Sequence, residues 1–204
     1  VMLKDSINNV EVSYRYDTQK LVVQLPDTYH RTDTAKLFLD YTARLTNLKA
    51  DNSVAGSNGM FFINADGKVP GKPKQIWTQG ETEYSSHWFP TFDQPNQKTT
   101  QEVFITVDTA YQTLSNGKKI YTSRNPDGTR TDYWRQQQPH APYLFMLAVG
   151  KYSKVQDSWH DSIPVNYYVE PAYEPYADMI FGETPEMMSY YSQLFDYPYP
   201  WAKY

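Results

Sequence analysis

The chain has 204 residues, a formal charge of −4 and no cysteine. That excludes disulfides, thiolate metal sites and a cysteine nucleophile, and with no basic run a nucleic-acid partner is not expected. No apolar stretch reaches the roughly 18 residues of a membrane-spanning helix, while 19 Tyr, 5 Trp and 14 Pro with frequent alternation favour a mainly β fold.

Val10, Val12, Tyr14 and Tyr16 alternate with Glu11, Ser13, Arg15 and Asp17, which predicts a half-buried strand. Asp17-Thr18-Gln19-Lys20 reads as a turn and Leu21 to Leu25 as the returning strand, ended by Pro26. Leu37, Leu39, Tyr41 and Ala43 form the next alternating set. Residues 47–59, rich in Asn, Ser, Gly and Lys, read as a mobile loop. Met60 to Ile63 is a short apolar run, followed by the turn signal Asp66-Gly67.

The stretch from Ile76 to Val107 is the centre of the sequence. Trp88, Phe89 and Phe92 are bulky and apolar, Pro90 and Pro95 interrupt regular structure, and Gln79, Glu81, His87 and Asp93 add polar atoms. This pattern describes a shaped loop set on a sheet, where binding residues tend to sit. It equally describes an aromatic core loop in which Asp93 satisfies turn amides. Val103, Ile105 and Val107 then alternate with Phe104, Thr106 and Asp108 in a strand.

Asn116-Gly117 and Asp127-Gly128 predict hairpins. The apolar run from Tyr143 to Val149 predicts a strand buried on both faces, and Ile163 to Val169 a last strand. Beyond Pro171 the period changes. Thr184 is placed as a helix N-cap, Pro185 at the first helical position and Glu186 toward the positive end. Met187, Tyr190, Tyr191, Leu194 and Phe195 follow helical spacing, and Tyr197-Pro198-Tyr199-Pro200-Trp201 stops the helix.

A zinc hydrolase needs two His one helical turn apart with a Glu to activate water. His30, His87, His140 and His160 include no such pair. No Gly-x-Ser-x-Gly elbow and no phosphate loop occurs either. His160-Asp161 reads as a surface polar pair, since neighbours on a strand point to opposite faces. No metal ligand and no catalytic residue is therefore assigned.

Trp88-Phe89-Pro90-Thr91-Phe92-Asp93-Gln94-Pro95 with Lys98 resembles the Trp-Phe-Pro-Cys-Phe-Asp-Glu-Pro…Lys signature. That signature marks the N-terminal domain of the zinc aminopeptidases of the aminopeptidase N and leukotriene hydrolase (gluzincin) family. Thr78-Gln79-Gly80-Glu81 resembles its Gln-x-Glu loop, and Tyr143-Leu144-Phe145…Val149-Gly150 one of its strands. The resemblance implies a mainly β fold: an antiparallel β-sandwich or saddle-like N-terminal domain over residues 1–171, truncated at its start. Residues 172–204 would then begin the thermolysin-like catalytic domain. The zinc motif would lie downstream, leaving this segment inactive alone.

The resemblance further implies that Glu81 binds the free α-amino group of peptide substrates, with Gln79 adding a neutral acceptor. An α-amino group has a pKa near about 8 and is largely cationic at neutral pH. A carboxylate in a partly dry cleft makes a charge-assisted hydrogen bond with it. The resemblance leaves Asp93 a structural role, with Lys98 as a salt partner. Gln94 departs from the usual Glu, Thr91 from Cys and His87 from Arg. The alternatives are a non-catalytic scaffold of the same architecture, a carbohydrate-binding β-sandwich, and, for the C-terminal helix, packing onto a self-contained domain.

Overall fold

The computed structural model describes residues 2–5, 10–43 and 59–204. Of the loop expected over 47–59, all but Gly59 lies outside the described residues. The fold is mainly β, every strand pair is antiparallel, and helices close the chain. The expected fold class is thus observed.

The N-terminal strands are β1 (Met2–Asp5), β2 (Val10–Glu11), β3 (Tyr14–Tyr16), β4 (Leu21–Val23) and β5 (Leu37–Asp40). β1 lies between β2 and β5. The single half-buried strand expected over Val10 to Tyr16 is instead split. β2 pairs with β1, Val12 is buried, and β3 turns away to pair with β4. Tyr14 and Tyr16 are consequently exposed. The Asp17 carboxylate shapes the turn by accepting from the Gln19 and Lys20 amides at 3.1 and 2.7 Å.

Two larger sheets follow. The first has the order β6-β7-β12-β9, from β6 (Gly59–Ile63), β7 (Gln75–Gln79), β12 (Leu147–Gly150) and β9 (Gln112–Ser115). The second has the order β10-β11-β8, from β10 (Lys118–Arg124), β11 (Thr129–His140) and β8 (Thr99–Asp108). They pack face to face on Ile105, Trp134 and Val149, ringed by Ile76, Val103, Val107, Leu114 and Leu147. β8 obeys its pattern: Gln101, Val103, Ile105 and Val107 turn inward.

The two turn signals behave differently. Asp127-Gly128 closes the expected hairpin between β10 and β11. Asn116-Gly117 instead passes the chain from one sheet to the other, because β9 pairs with β12 and not with β10. Gly117 has φ +72°, and a Cβ there would stand 1.9 Å from the Arg135 carbonyl oxygen. The Asn116 amide is spent on the Leu144 carbonyl and the Met146 amide, at 2.8 and 2.7 Å. A turn dipeptide with a positive φ serves a corner as well as a hairpin. The apolar run from Tyr143 is likewise divided: Pro142–Leu144 forms a 3-10 turn, and only Leu147–Gly150 is strand.

A buried charge ties the sheets together. Asp132 on β11 has no exposed side-chain surface. It accepts from Thr113 of β9 at 2.7 Å and Thr122 of β10 at 2.6 Å, and faces Arg130 at 3.2 Å. Thr113 also accepts from the Trp134 indole at 3.0 Å. Arg130 donates to the carbonyls of Thr109 and Tyr111.

The remaining elements form a second core. Strands β13 (Ser153–Trp159) and β14 (Ile163–Val169) make a hairpin. Trp159, Val165 and Tyr167 of the hairpin pack on Ala177 of α1 (Ala177–Phe181) and Met188 of α2 (Thr184–Leu194). The Trp159 indole donates to Ser189 at 2.8 Å, and the Tyr167 hydroxyl to Asp157 at 2.8 Å. Burial, then that bond, pushes the Tyr167 pKa up to about 12.

α2 spans the expected segment, but Thr184 is no N-cap. Its hydroxyl donates back to the Phe181 carbonyl at 2.6 Å, and Glu183 stands at the cap position. Met188 and Ser189 face the hairpin, so the apolar stripe of Met187, Tyr190, Tyr191, Leu194 and Phe195 points outward.

Asp132 sets an acid-side prediction. Burial alone would raise its pKa, but hydrogen bonds from Thr113, Thr122 and Arg130 together hold it below the usual carboxylate value. A carboxyl depressed on folding stabilises above its unfolded pKa and loses that contribution as pH falls through the folded value. Urea unfolding should therefore show stability dropping below about pH 4. Asp132→Ala should cost roughly 3–5 kcal/mol at pH 7, since it strands Arg130 and two hydroxyls.

Candidate functional site

β7 runs between β6 and β12 and ends at Gln79, so the Gln79-Gly80-Glu81 segment leaves the edge of a doubly paired strand. Thr78 is fixed from the side: the Leu147 amide donates to its hydroxyl at 3.0 Å. The Gly80 carbonyl then accepts from the Tyr84 amide at 2.9 Å, closing a turn that carries Glu81. A 3-10 turn over Ser85–His87 follows.

Gly80 is where this segment is pinned. A Cβ there would lie 2.4 Å from the Ser85 hydroxyl oxygen and 2.6 Å from the Tyr143 carbonyl oxygen. Ser85 is itself fully buried and donates to the Pro142 carbonyl at 2.8 Å. The loop after β7 is thus stapled to the turn before β12. Gln79 and Glu81 flank the buried Gly80, and both are exposed. Gln79 pairs with Gly59 of β6 through the backbone, but neither side chain makes a hydrogen bond or ion pair with another described residue.

The aromatic segment next to it is a packing base. Trp88 meets Phe89 edge-on at 4.5 Å, and Phe89 stacks on Phe145 at 5.0 Å. Phe145 stacks on His140 at 4.6 Å, which meets Trp201 edge-on at 6.2 Å. The Trp88 carbonyl also accepts from the Tyr41 hydroxyl at 3.1 Å. Phe92 departs from the expected apolar cluster: it is 81% exposed.

Asp93 has the structural role expected of it, accepting from the Ser86 amide at 2.8 Å. No ion pair joins it to Lys98 among the described residues, which corrects the expected salt bridge. The amide satisfies Asp93 across the turn, while Lys98 lies beyond Pro95 toward β8. Gln94 donates to Glu83 at 2.9 Å. A Glu at position 94 could not make that bond without a proton, so Glu83 and Gln94 fit each other. Glu83 is thereby occupied, while the Glu81 side chain is exposed and has no described partner.

His140 is buried, and neither ring nitrogen finds a hydrogen-bond partner. Burial lowers its pKa, offset in part by the backbone at Gln138 and Thr99. It lines a cleft of about 290 Å³, which shares Gln136, Trp201 and Ala202 with a second cleft of about 270 Å³. Both lie beside the C-terminal segment, and neither includes Gln79 or Glu81. Among the described residues no three His, Asp or Glu side chains group closely enough to hold a metal ion. The residues described here do not fit a zinc site.

The loop, its staple and Trp88, Phe89 and His140 of the aromatic base lie within a longer match. The family described as the peptidase M1 N-terminal domain matches residues 3–144. The chain belongs to that family. It is similar to a puromycin-sensitive aminopeptidase of Caenorhabditis elegans, 27% identical over 62% of this chain and 13% of the relative. It is also similar to an aminopeptidase N of Streptomyces lividans, 27% identical over 63% of this chain and 15% of the relative. A mitochondrial aminopeptidase 2 of Saccharomyces cerevisiae is 25% identical over 81% of this chain and 17% of that protein. The chain thus spans under a fifth of the length of these M1 relatives.

Sequence reading missed the residues that hold the candidate loop: Thr78, Ser85, Ser86 and the Pro142–Leu144 turn. Their one visible signal was the buried-type Gly between two polar residues. Gly80→Ala should destabilise by about 1–3 kcal/mol through the clash with Ser85 and Tyr143. Glu81→Ala, exposed and without a described partner, should move stability by less than about 0.5 kcal/mol. Parallel thermal melts of the two variants check this contrast.

Proposed function

We propose that this chain is the N-terminal part of a zinc-dependent aminopeptidase that removes N-terminal residues from peptides. In this reading its β domain forms one wall of the substrate cleft. A catalytic domain supplied by the rest of the polypeptide carries the zinc and the general base, and the present segment alone is inactive. The observation that carries the reading is Glu81. It is an exposed carboxylate without a described partner, on a loop pinned by Gly80 and Ser85, at the end of a strand paired on both sides.

That arrangement suits recognition of a free amine. A fixed carboxylate meets an ammonium group with little ordering cost, since its backbone is already immobilised. An N-acylated or internal peptide bond offers no cation, so the same group would reject it. Gln79 would add a neutral acceptor from the other side of Gly80. Retention of an unoccupied acid at this position favours the enzyme over a non-catalytic scaffold. A carbohydrate platform is favoured less, because Trp88 and Phe89 are spent on packing.

The test uses the full-length protein. Glu81→Ala should lower kcat/KM for peptides with a free N-terminus roughly 10- to 150-fold, the range for a hydrogen bond to a charged group. Glu81→Gln should fall between. An unchanged kcat/KM in Glu81→Ala would remove the anchor role, and full-length protein without zinc-dependent turnover would remove the enzyme reading.

A further inference from the structure

The cleft of about 290 Å³ beside the C-terminal segment carries a charge and a hydrogen-bonding ring that the fold does not use. Its volume is close to the lower end of small-ligand sites, which run from roughly 300 to 1,000 Å³. Leu144, Tyr199 and Trp201 give it apolar and aromatic walls, and His140 and Lys203 line it with them. No Asp or Glu lines it or the neighbouring cleft, whereas Lys118 and Arg135 line the neighbour. In a chain of net charge −4 this is a local excess of cations.

Lys203 is held there without an acid. The backbone is pinned on both sides of its side chain. The Tyr199 hydroxyl donates to the Lys203 carbonyl at 2.9 Å, and the Tyr204 N–H donates to the Pro164 carbonyl at 2.9 Å. The Lys203 ammonium lies 5.6 Å from the centre of the Trp134 ring, and the Lys119 ammonium 5.9 Å from the same ring. An indole face attracts a cation but does not neutralise it. None of the ion pairs among the described residues includes Lys119 or Lys203. Burial pushes the Lys203 pKa down to about 8. The group therefore still carries its charge at neutral pH, in a place that hydrates it poorly.

His140 is the second, independent observation. It is buried and stacked on Phe145, and both of its ring nitrogens lack hydrogen-bond partners. The backbone at Gln138 and Thr99 favours the charged ring without reaching hydrogen-bond geometry. Buried polar groups in folded proteins are nearly always answered. A neutral imidazole has one nitrogen to donate and one to accept.

These groups select a class of ligand. One ammonium and one imidazole donor match the single charge and the oxygens of a carboxylate. A phosphate dianion would call for a second cation or an arginine fork in the same cleft. Tyr199 and Trp201 favour a flat apolar body behind the carboxylate.

We propose that this cleft binds a small aromatic carboxylate, with Lys203 as its counter-charge, His140 as a hydrogen-bond donor, and Leu144, Tyr199 and Trp201 around its ring. The site is separate from the Glu81 loop, since neither Gln79 nor Glu81 lines it. It stands whether or not the protein is a peptidase.

Titration calorimetry on the full-length protein tests this, with indole-3-acetate as the probe and tryptophol, its neutral alcohol analogue, as the control. Indole-3-acetate should bind saturably at one site, and tryptophol roughly tenfold or more weaker, because it lacks the charge. Lys203→Met should weaken indole-3-acetate by a similar factor, and His140→Phe several-fold. Equal binding of tryptophol, unchanged affinity in Lys203→Met, or no saturable binding below about 10 mM would overturn the proposal. Inorganic phosphate competing as well as the probe would reduce the cleft to a simple anion site and overturn the ligand class. Binding abolished by a chelator would put the carboxylate on a metal, and would also overturn it. A thermal melt of Lys203→Met without ligand covers the case in which an acid elsewhere in the polypeptide already neutralises Lys203. Removing an uncompensated cation should leave the Tm unchanged or raise it. A fall of several degrees would mean that Lys203 has an internal partner, and the proposal would fail.

Discussion

Asp132 is the constraint on which the sandwich depends. A carboxylate with no exposed surface is stable only if every lone pair is answered, and here Thr113, Thr122 and Arg130 do so. Those partners come from three strands in two sheets. Thr113 sits on β9, whose neighbour is β12, whose neighbour in turn is β7. The charge therefore fixes not only the stacking of the sheets but also the strand from which Gln79 and Glu81 emerge. The polar node is also directional: Arg130 is held by the carbonyls of Thr109 and Tyr111, so the sheets cannot slide without breaking several charge-assisted bonds.

The candidate loop inherits that rigidity through small residues rather than large ones. Gly80 permits a backbone approach that any side chain would block, and Ser85 converts the approach into a buried hydrogen bond. The aromatic series from Trp88 through Phe89, Phe145 and His140 to Trp201 then ties the same region to the C-terminal segment. The signature residues are thus mostly supports. Among the acids of this loop, Glu81 is the exposed one whose side chain has no described partner. A motif can be informative about family while its bulky members serve the packing of the fold.

What was legible follows from which side chains face inward. β8 could be read because Val103, Ile105 and Val107 are apolar and alternate. β11, the longest strand, could not, because its inward positions include Asp132 and Gln136, which look like surface residues in sequence. β13 was hidden for the same reason: Asp157 turns inward to receive the Tyr167 hydroxyl. Asn116-Gly117 misled because a positive φ is required both by a hairpin and by a corner, and only the pairing of β9 with β12 decides. At the loop, Glu81 could be named from the resemblance, but the stapling of Gly80 and the partner of Glu83 depend on approaches across more than ten residues.

The outward stripe of α2 follows from the same logic of two cores. A helix facing a short hairpin can approach closely only through small or slender side chains, and Met188 and Ser189 serve that purpose. The larger Tyr190, Tyr191, Leu194 and Phe195 would hold the helix off the hairpin and leave the Trp159 indole without Ser189. The helix therefore spends its narrow face on the sheet and leaves its broad apolar face outside. Isolated surface apolars need no explanation, but a contiguous stripe of this size is costly in water. A two-stranded hairpin is also marginal by itself. The hairpin is not left with only two strands' worth of pairing, since the Tyr204 backbone bonds Pro164 and Asn166 along the edge of β14 away from β13.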